Sequence, residues 1–246
     1  MDTLPLVTLF VAFFSSILSG IAGGGGGFIV APYWLLIGLS PAQGAATGAF
    51  MALGMSGGSL AAFRGAALNH LPRRVLGVLL AITFVVSCVG PFFLNEIDVA
   101  VFAPILAVVT LCSLPFLFIR PSLALESRAA RVTGFIALVL LLFASSFITS
   151  SAFSILISAV LLQVFKLGVL EGTAVRRMLG VVQSLVLFAL LALLGNFVWA
   201  HGVMGILGGI TGSYIGTRIA LHRGERFARW MLVAGGALTA TGLIFI

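Results

Sequence analysis

Apolar residues occur along this chain in ten runs, separated by short stretches that hold most of the charged residues. Several runs reach about 20 residues, the length that a helix needs to cross a hydrocarbon core of about 30 Å. No polar stretch is long enough to fold as a soluble domain. The pattern predicts an all-α, polytopic membrane protein with one transmembrane domain over residues 1–246. The runs are 4–19, 28–39, 42–63, 75–94, 99–119, 132–147, 152–165, 178–194, 203–221 and 227–246.

Two of these runs, 28–39 and 152–165, are too short to span a bilayer as helices. The first follows five consecutive glycines, Gly23 to Gly27, and the second follows the sequence ITSS at 148–151. Small and hydroxyl residues between two apolar segments are typical of a chain that stops being helical inside the membrane. We therefore predict a broken or re-entrant helix hairpin at each place.

The two broken segments belong to a weak internal repeat. GVLLAIT at Gly77 and GILGGIT at Gly205 share four of seven residues, and the same offset of 128 residues superimposes the two broken segments. The sequence thus predicts repeats at 1–122 and 129–246. Because each half would cross the membrane an odd number of times, the second half would be inverted relative to the first, which is a transporter architecture.

Composition and charge agree with a membrane protein, since 61% of the residues are hydrophobic and 8% are charged. The net charge of +7 comes from basic residues scattered singly or in pairs, which argues for membrane topology and against a nucleic-acid partner. If the loop with Arg73 and Arg74 is cytoplasmic, counting crossings places all 13 Lys and Arg residues on that side. Both termini are then predicted on the non-cytoplasmic side.

The glycine run is the first candidate binding element. Each glycine costs a helix about 1 kcal/mol relative to alanine, and an unpaired backbone group in the bilayer costs several kcal/mol. A break at this depth is stable where the chain lines a cavity, and amides at a helix start suit an anion. In the alternative interpretation, the glycines only allow close helix packing. The predicted binding residues are Gly24, Gly25, Gly26 and Gly27, with Thr149, Ser150 and Ser151 in the second half.

An arginine pair marks the second candidate element, in LEGTAVRRMLGVVQSLVLFALLALL from Leu170. The apolar run after Arg177 is too short to span, so we predict that its helix begins before the arginines. Thr173, Arg176 and Gln183 then share one face, with Arg177 beside them. A guanidinium fork binds sulfite or sulfonate oxygens through two donors. The alternative is that both arginines are headgroup anchors.

The first half offers small or apolar residues at the positions that match this polar stripe, namely Ala45, Gly48, Ala52 and Met55. We expect them to leave space for a substrate opposite the charged stripe. Gln43 and Thr47 are the remaining polar candidates there.

The sequence does not contain the residue patterns expected for metal binding, phosphate binding or nucleophilic catalysis. His70 and His201 have no nearby carboxylate or cysteine in the sequence, so no metal site is predicted. No phosphate-binding loop and no set of nucleophile, base and orienting group is present, so we predict neither an enzyme nor a cofactor.

The glycine run and the sequence after it, GIAGGGGGFIVAPYWLLIGLSPAQGAATG from Gly20 to Gly48, resemble the TauE/SafE family of membrane permeases. The resemblance implies a bacterial inner-membrane secondary transporter that moves sulfite, an organosulfonate or a related sulfur anion by alternating access. It implies a small anionic substrate and membrane lipid as partners, and it leaves a homo-oligomer open. The rival interpretations are a carrier of a carboxylate or inorganic anion, an anion channel, and a non-transporting membrane scaffold.

Overall fold

The computed structural model describes residues 4–23, 26–63, 72–89, 128–147, 151–165, 167–224, 226–227 and 230. These residues form α-helices and contain no strand, which confirms the all-α prediction for the described part of the chain. The predicted run at 99–119 and most of the run at 227–246 lie outside it. The helices are α1 Leu4–Ala22, α2 Gly27–Leu36, α3 Pro41–Phe63, α4 Arg73–Ser87, α5 Arg128–Phe147, α6 Ser151–Phe165, α7 Val169–Leu193 and α8 Trp199–Arg223.

Three described segments are long and apolar enough to cross a membrane: Leu4–Ile21 in α1, Pro41–Phe63, which is α3, and Leu170–Leu193 in α7. The protein is therefore a multi-pass membrane protein. Helix α2 has only 10 residues, and at 1.5 Å per residue it is about 15 Å long. It cannot span a hydrocarbon core of about 30 Å.

The glycine run interrupts the first helix. Helix α1 ends at Ala22, Gly23 has a φ of +76°, and α2 begins at Gly27 with Gly26 before it. A positive φ is the conformation that glycine adopts without the penalty of a Cβ atom, and it commonly ends a helix. The predicted break is thus present at this end of α1.

The helices form two bundles that meet at one seam. Helices α1, α3 and α8 pack closely through small residues, and we call them the glycine bundle. Helices α4, α5, α6 and α7 surround a core of large apolar side chains, and we call them the leucine bundle. Helices α3 and α7 pack against each other and join the two bundles. The leucine core contains Leu79, Leu138, Leu142, Phe153, Ile157, Leu161, Leu167, Val175 and Leu179.

Helix positions recur at the offset found in the sequence. Helix α3 begins at Pro41 and α7 at Val169, and the other helices correspond in the same order. Each bundle takes a helix from the other half of the chain, since α8 packs with α1 and α3 while α4 packs with α5 and α7. The inverted orientation of the two halves remains a prediction.

Candidate functional site

A cavity of about 150 Å³ lies at the seam between the bundles. Helices α2 and α3 form one wall and α7 forms the opposite wall, while α1, α5 and α6 each contribute a serine. The cavity therefore lies where the short helix after the glycine break faces the helix that carries the arginine pair.

The wall from the first half is mostly apolar. Ala45, Gly48, Ala52 and Met55, the four positions expected to leave space, all line the cavity, and Trp34 of α2 lies beside them. Gly44 and Gly48 accommodate this tryptophan, because a methyl group on either residue would lie 3.1 Å from a Trp34 atom.

The wall from α7 is polar. Arg176, Arg177, Gly180, Gln183 and Ser184 line the cavity at helical spacing. Helix α7 begins at Val169, so the prediction that this helix starts before the arginines is confirmed. The two facing helices thus present opposite chemistry at corresponding positions.

Arg176 connects α7 to the short helix of the second half. Its side chain is 9% exposed, and its Nη2 donates to Ser154 Oγ at 2.9 Å. Gly180 makes room for the guanidinium, because a methyl group there would lie 3.3 Å from Arg176 Nη1. The fork is therefore held between α6 and its own helix, at the cavity wall.

Arg177 connects α7 to the end of α1, just before the glycine break. Its Nη2 donates to the Ser19 carbonyl oxygen, and to Ser19 Oγ at 2.9 Å. The Ser19 carbonyl lies in the last turn of α1, where backbone acceptors lack helical partners. A cation at this helix end also complements the helix dipole.

The two guanidinium groups carry buried positive charge without a neutralising carboxylate among the described residues. The Nε atoms of Arg176 and Arg177 are also buried without a hydrogen-bond partner in the described part. Both side chains reach toward neighbouring helices, which is not the geometry of an arginine anchored to lipid headgroups. Burying unpaired charge is costly unless an opposite charge or further hydrogen bonds compensate it.

Gln183 extends the polar wall along α7. Its Nε2 donates to Ser145 Oγ at 2.7 Å, and that hydroxyl donates to the Leu142 carbonyl at 2.8 Å. Because the amide of Gln183 is fixed by α5, its position at the cavity does not depend on a ligand.

The remaining predicted residues of the first half have structural contacts. Gly27 lines the cavity, whereas Gly26 precedes α2 and packs against Ser15, Ser19 and Met55. Gln43 Oε1 accepts the Ser40 backbone N–H at 3.1 Å and so caps α3.

Thr47 and Thr173 are both buried outside the cavity wall. Thr47 Oγ1 accepts the Val198 N–H at 3.5 Å, and Thr173 packs beneath Gly23. Gly24, Gly25, Thr149 and Ser150 lie outside the described residues, and Ser151 begins α6 without a described side chain.

The predicted site residues include none of the six serines that line the cavity, and three of these, Ser19, Ser145 and Ser154, bond to Arg177, Gln183 and Arg176. Their position next to the predicted breaks could have identified them. Ser19 and Ser145 lie near the end of the helix before each break, and Ser154 lies in the first turn of the helix after the second break. Among the described residues, no group of three or more His, Cys, Asp or Glu side chains could hold a metal ion.

Comparison with known proteins gives a family match over nearly the whole chain. Residues 8–243 match the family described as sulfite exporter TauE/SafE. The chain is 29% identical over 249 residues to a "Probable membrane transporter protein YfcA" of Escherichia coli K12, covering 97% of this chain and 89% of that relative. It is also 29% identical over 246 residues to a "Probable membrane transporter protein" of Haemophilus influenzae, covering 96% and 92% of the two chains. No solved structure matches the chain.

Proposed function

Because the chain belongs to the sulfite exporter TauE/SafE family, we propose that it is a secondary transporter of a small sulfur-containing anion, such as sulfite or a short organosulfonate. Its curated relatives are named as probable membrane transporters, and this chain is a membrane transporter of the same family. The observation that carries the substrate class is the pair of buried guanidinium groups at the cavity, which no described carboxylate neutralises.

Electrostatics favour an anion as the missing partner. Two adjacent cations in a low-dielectric interior repel each other and have lost their hydration. A bound oxyanion would offset both costs, and it could accept hydrogen bonds from the guanidinium forks of Arg176 and Arg177. Ser154 and Ser19 hold the forks in place before the substrate arrives.

The size of the cavity suits a small substrate. A cavity of about 150 Å³ accepts a molecule of about the size of benzene. Sulfite and a sulfonate with one or two carbons are within that size. In our proposal the sulfur oxyanion contacts the α7 wall, and a short tail packs against Ala45, Ala52 and Met55 of the α3 wall.

Alternating access is the proposed mechanism, with the cavity exposed in turn to each side of the membrane. The cavity lies at the seam between two bundles, so a movement of one bundle against the other would open one end and close the other. The recurrence of helix positions after 128 residues supports two related halves. Export of an anion is favoured by an inside-negative potential, by about 2.3 kcal/mol per charge per 100 mV.

The test is ligand-induced stabilisation of the purified protein, with sulfite, methanesulfonate, taurine, sulfate and lactate as probes. At 100 times its dissociation constant a ligand stabilises by about 2.7 kcal/mol, which a thermal shift resolves. We expect stabilisation by sulfite or a short sulfonate in the wild type. Arg176→Ala should abolish it, and Arg176→Lys should weaken it because the charge stays while the planar fork is lost.

Arg218→Ala is the matched control, since Arg218 is exposed on α8 and bonds only to Tyr214 of the same helix among the described contacts. It should respond to the anions as the wild type does. An equal response in Arg176→Ala would reject the site, and a response confined to lactate would reject the sulfur-containing cargo. Counterflow of labelled anion in proteoliposomes separates a carrier from a channel, which gives none.

A further inference from the structure

A second polar cluster lies near the start of α1, at the end of this helix that is far from the arginines. Thr8 Oγ1 of α1 is 2.6 Å from the hydroxyl oxygen of Tyr33 in α2 and 2.7 Å from Nδ1 of His201 in α8. It also donates to the Leu4 carbonyl at 3.1 Å. One buried hydroxyl therefore joins three helices, two of which belong to the glycine bundle.

Counting donors fixes the roles within this cluster. A hydroxyl has one proton to donate and two lone pairs to accept with, and the Leu4 carbonyl can only accept. Thr8 therefore donates to Leu4 and accepts from Tyr33 O–H and from His201 Nδ1–H. This leaves Nε2 of the neutral His201 as the proton acceptor. The imidazole can take up a proton there without breaking any bond of the cluster.

The surroundings of His201 contain little other charge. Helices α1 and α3, which pack against α8, carry no ionisable side chain, and Tyr33 is the only one on α2. A proton on His201 would therefore add a positive charge that no described carboxylate faces.

Trp34 connects this cluster with the anion cavity. It follows Tyr33 in α2, its ring packs against the His201 ring with centroids 6.2 Å apart, and it lines the cavity. His201 is thus one aromatic side chain away from the space between the bundles. Trp34 therefore contacts both the imidazole of His201 and the cavity that Arg176 and Arg177 line.

We propose that His201 is the proton-binding site of a proton–anion symporter, with Thr8 and Tyr33 as the residues that orient it. The inference rests on the proposed function. A protonated imidazole and the two guanidinium groups all carry positive charge, so a bound anion in the cavity between them would favour the protonated form of His201. Proton and anion therefore favour each other's binding, and the coupling is reciprocal. One proton with one monovalent anion makes transport electroneutral, so uptake is no longer opposed by the membrane potential.

Proteoliposomes containing the pH dye pyranine test the coupling, with methanesulfonate as the anion because a sulfonate stays ionised throughout. Valinomycin and equal potassium on both sides hold the potential at zero. We expect the lumen to acidify when methanesulfonate is added outside, and His201→Gln to abolish the acidification. Thr8→Val should reduce it. The control His222→Gln changes an exposed histidine at the other end of α8 and should acidify as the wild type does.

A binding measurement separates this proposal from the one on which it rests. Stabilisation of the wild type by methanesulfonate should be larger at about pH 5 than at about pH 8, and His201→Gln should lose that dependence. Stabilisation that is the same at both pH values, an unchanged or alkaline lumen during uptake, or full acidification by His201→Gln would overturn the proton site alone. Absence of stabilisation and uptake with every sulfur anion would overturn the proposed function.

Discussion

The glycine bundle and the leucine bundle consist of corresponding helices but are held together in different ways. In the glycine bundle the backbones touch: a methyl group on Gly208 would lie 2.7 Å from the Leu9 carbonyl oxygen, and one on Gly209 would lie 2.8 Å from that of Met51. In the leucine bundle the backbones are kept apart by large side chains such as Leu138, which is fully buried. Contacts between small residues thus hold the helices of one bundle together, and contacts between large apolar side chains hold those of the other, on the two sides of one cavity.

This difference predicts which bundle moves. Close backbone contacts leave little room for the helices to move relative to one another, because at these contacts there are no long side chains between them that could change conformation. Ser59, Thr217 and Gly20 add a hydrogen-bonded chain across α3, α8 and α1, with 2.5 Å between the two hydroxyl oxygens. Large side chains can change rotamer and let helices shift. We expect the glycine bundle to be the fixed frame and the leucine bundle, with both arginines, to move.

Gly216→Val should have the largest effect. A side chain at Gly216 would overlap the carbonyl oxygen of Ile17, and neither main chain can withdraw without separating α1 from α8. We expect no monodisperse protein in detergent, judged by size-exclusion chromatography of a fluorescent fusion.

Gly57→Ala is the matched control for this substitution, since a methyl group on Gly57 meets nothing within 4 Å among the described residues. It should elute as the wild type does. Normal elution of Gly216→Val would show that the contact between α1 and α8 is loose and would remove the reason for calling this bundle fixed.

Leu161→Ala should have a smaller effect on the leucine bundle. Leu161 of α6 is fully buried in the leucine core, and truncation of such a residue in soluble proteins costs about 2–5 kcal/mol. Because lipid is as apolar as leucine, only the lost packing should count here, and we expect about 2 kcal/mol. The melting temperature of the variant in detergent measures this loss of stability.

Leu185→Ala serves as the control, because Leu185 is 53% exposed on the face of α7 that points away from the core. Its melting temperature should hardly change. An equal loss in both variants would mean that the leucine core contributes no more than a lipid-facing side chain, which would contradict the comparison of the two bundles.

Sequence reasoning predicted the large features because they depend on composition and periodicity. Hydrophobic runs predict helices, and five glycines predict a break, since no packing need requires glycine on every face of a helix. The space around Ala45 and Met55 followed from comparing the two halves at one offset. The hydrogen-bond partners of the arginines could not be predicted. The sequence around a serine such as Ser19 is the same whether its side chain bonds to Arg177 or only to its own helix.

The contacts of His201 could not be predicted for a related reason. In the sequence it is a histidine without a nearby carboxylate or cysteine, and its hydroxyl partner, Thr8, is far away in the chain. Only the close approach of α1 and α8, which the glycines of α8 allow, brings the two together. Long-range contacts of this kind depend on packing that a single sequence does not encode in any local pattern.

Gln43→Ala should have the smallest effect, and it distinguishes a structural from a binding role at the start of α3. Gln43 Oε1 accepts the Ser40 N–H at 3.1 Å, and in the other bundle Glu171 Oε2 accepts the Gly168 N–H at 3.2 Å. Loss of such a cap costs about 1 kcal/mol, so the melting temperature should fall slightly while stabilisation by sulfite is unchanged. If Gln43→Ala instead lost its response to sulfite at an unchanged melting temperature, Gln43 would be a substrate ligand, and the glycine bundle would supply binding groups as well as a frame.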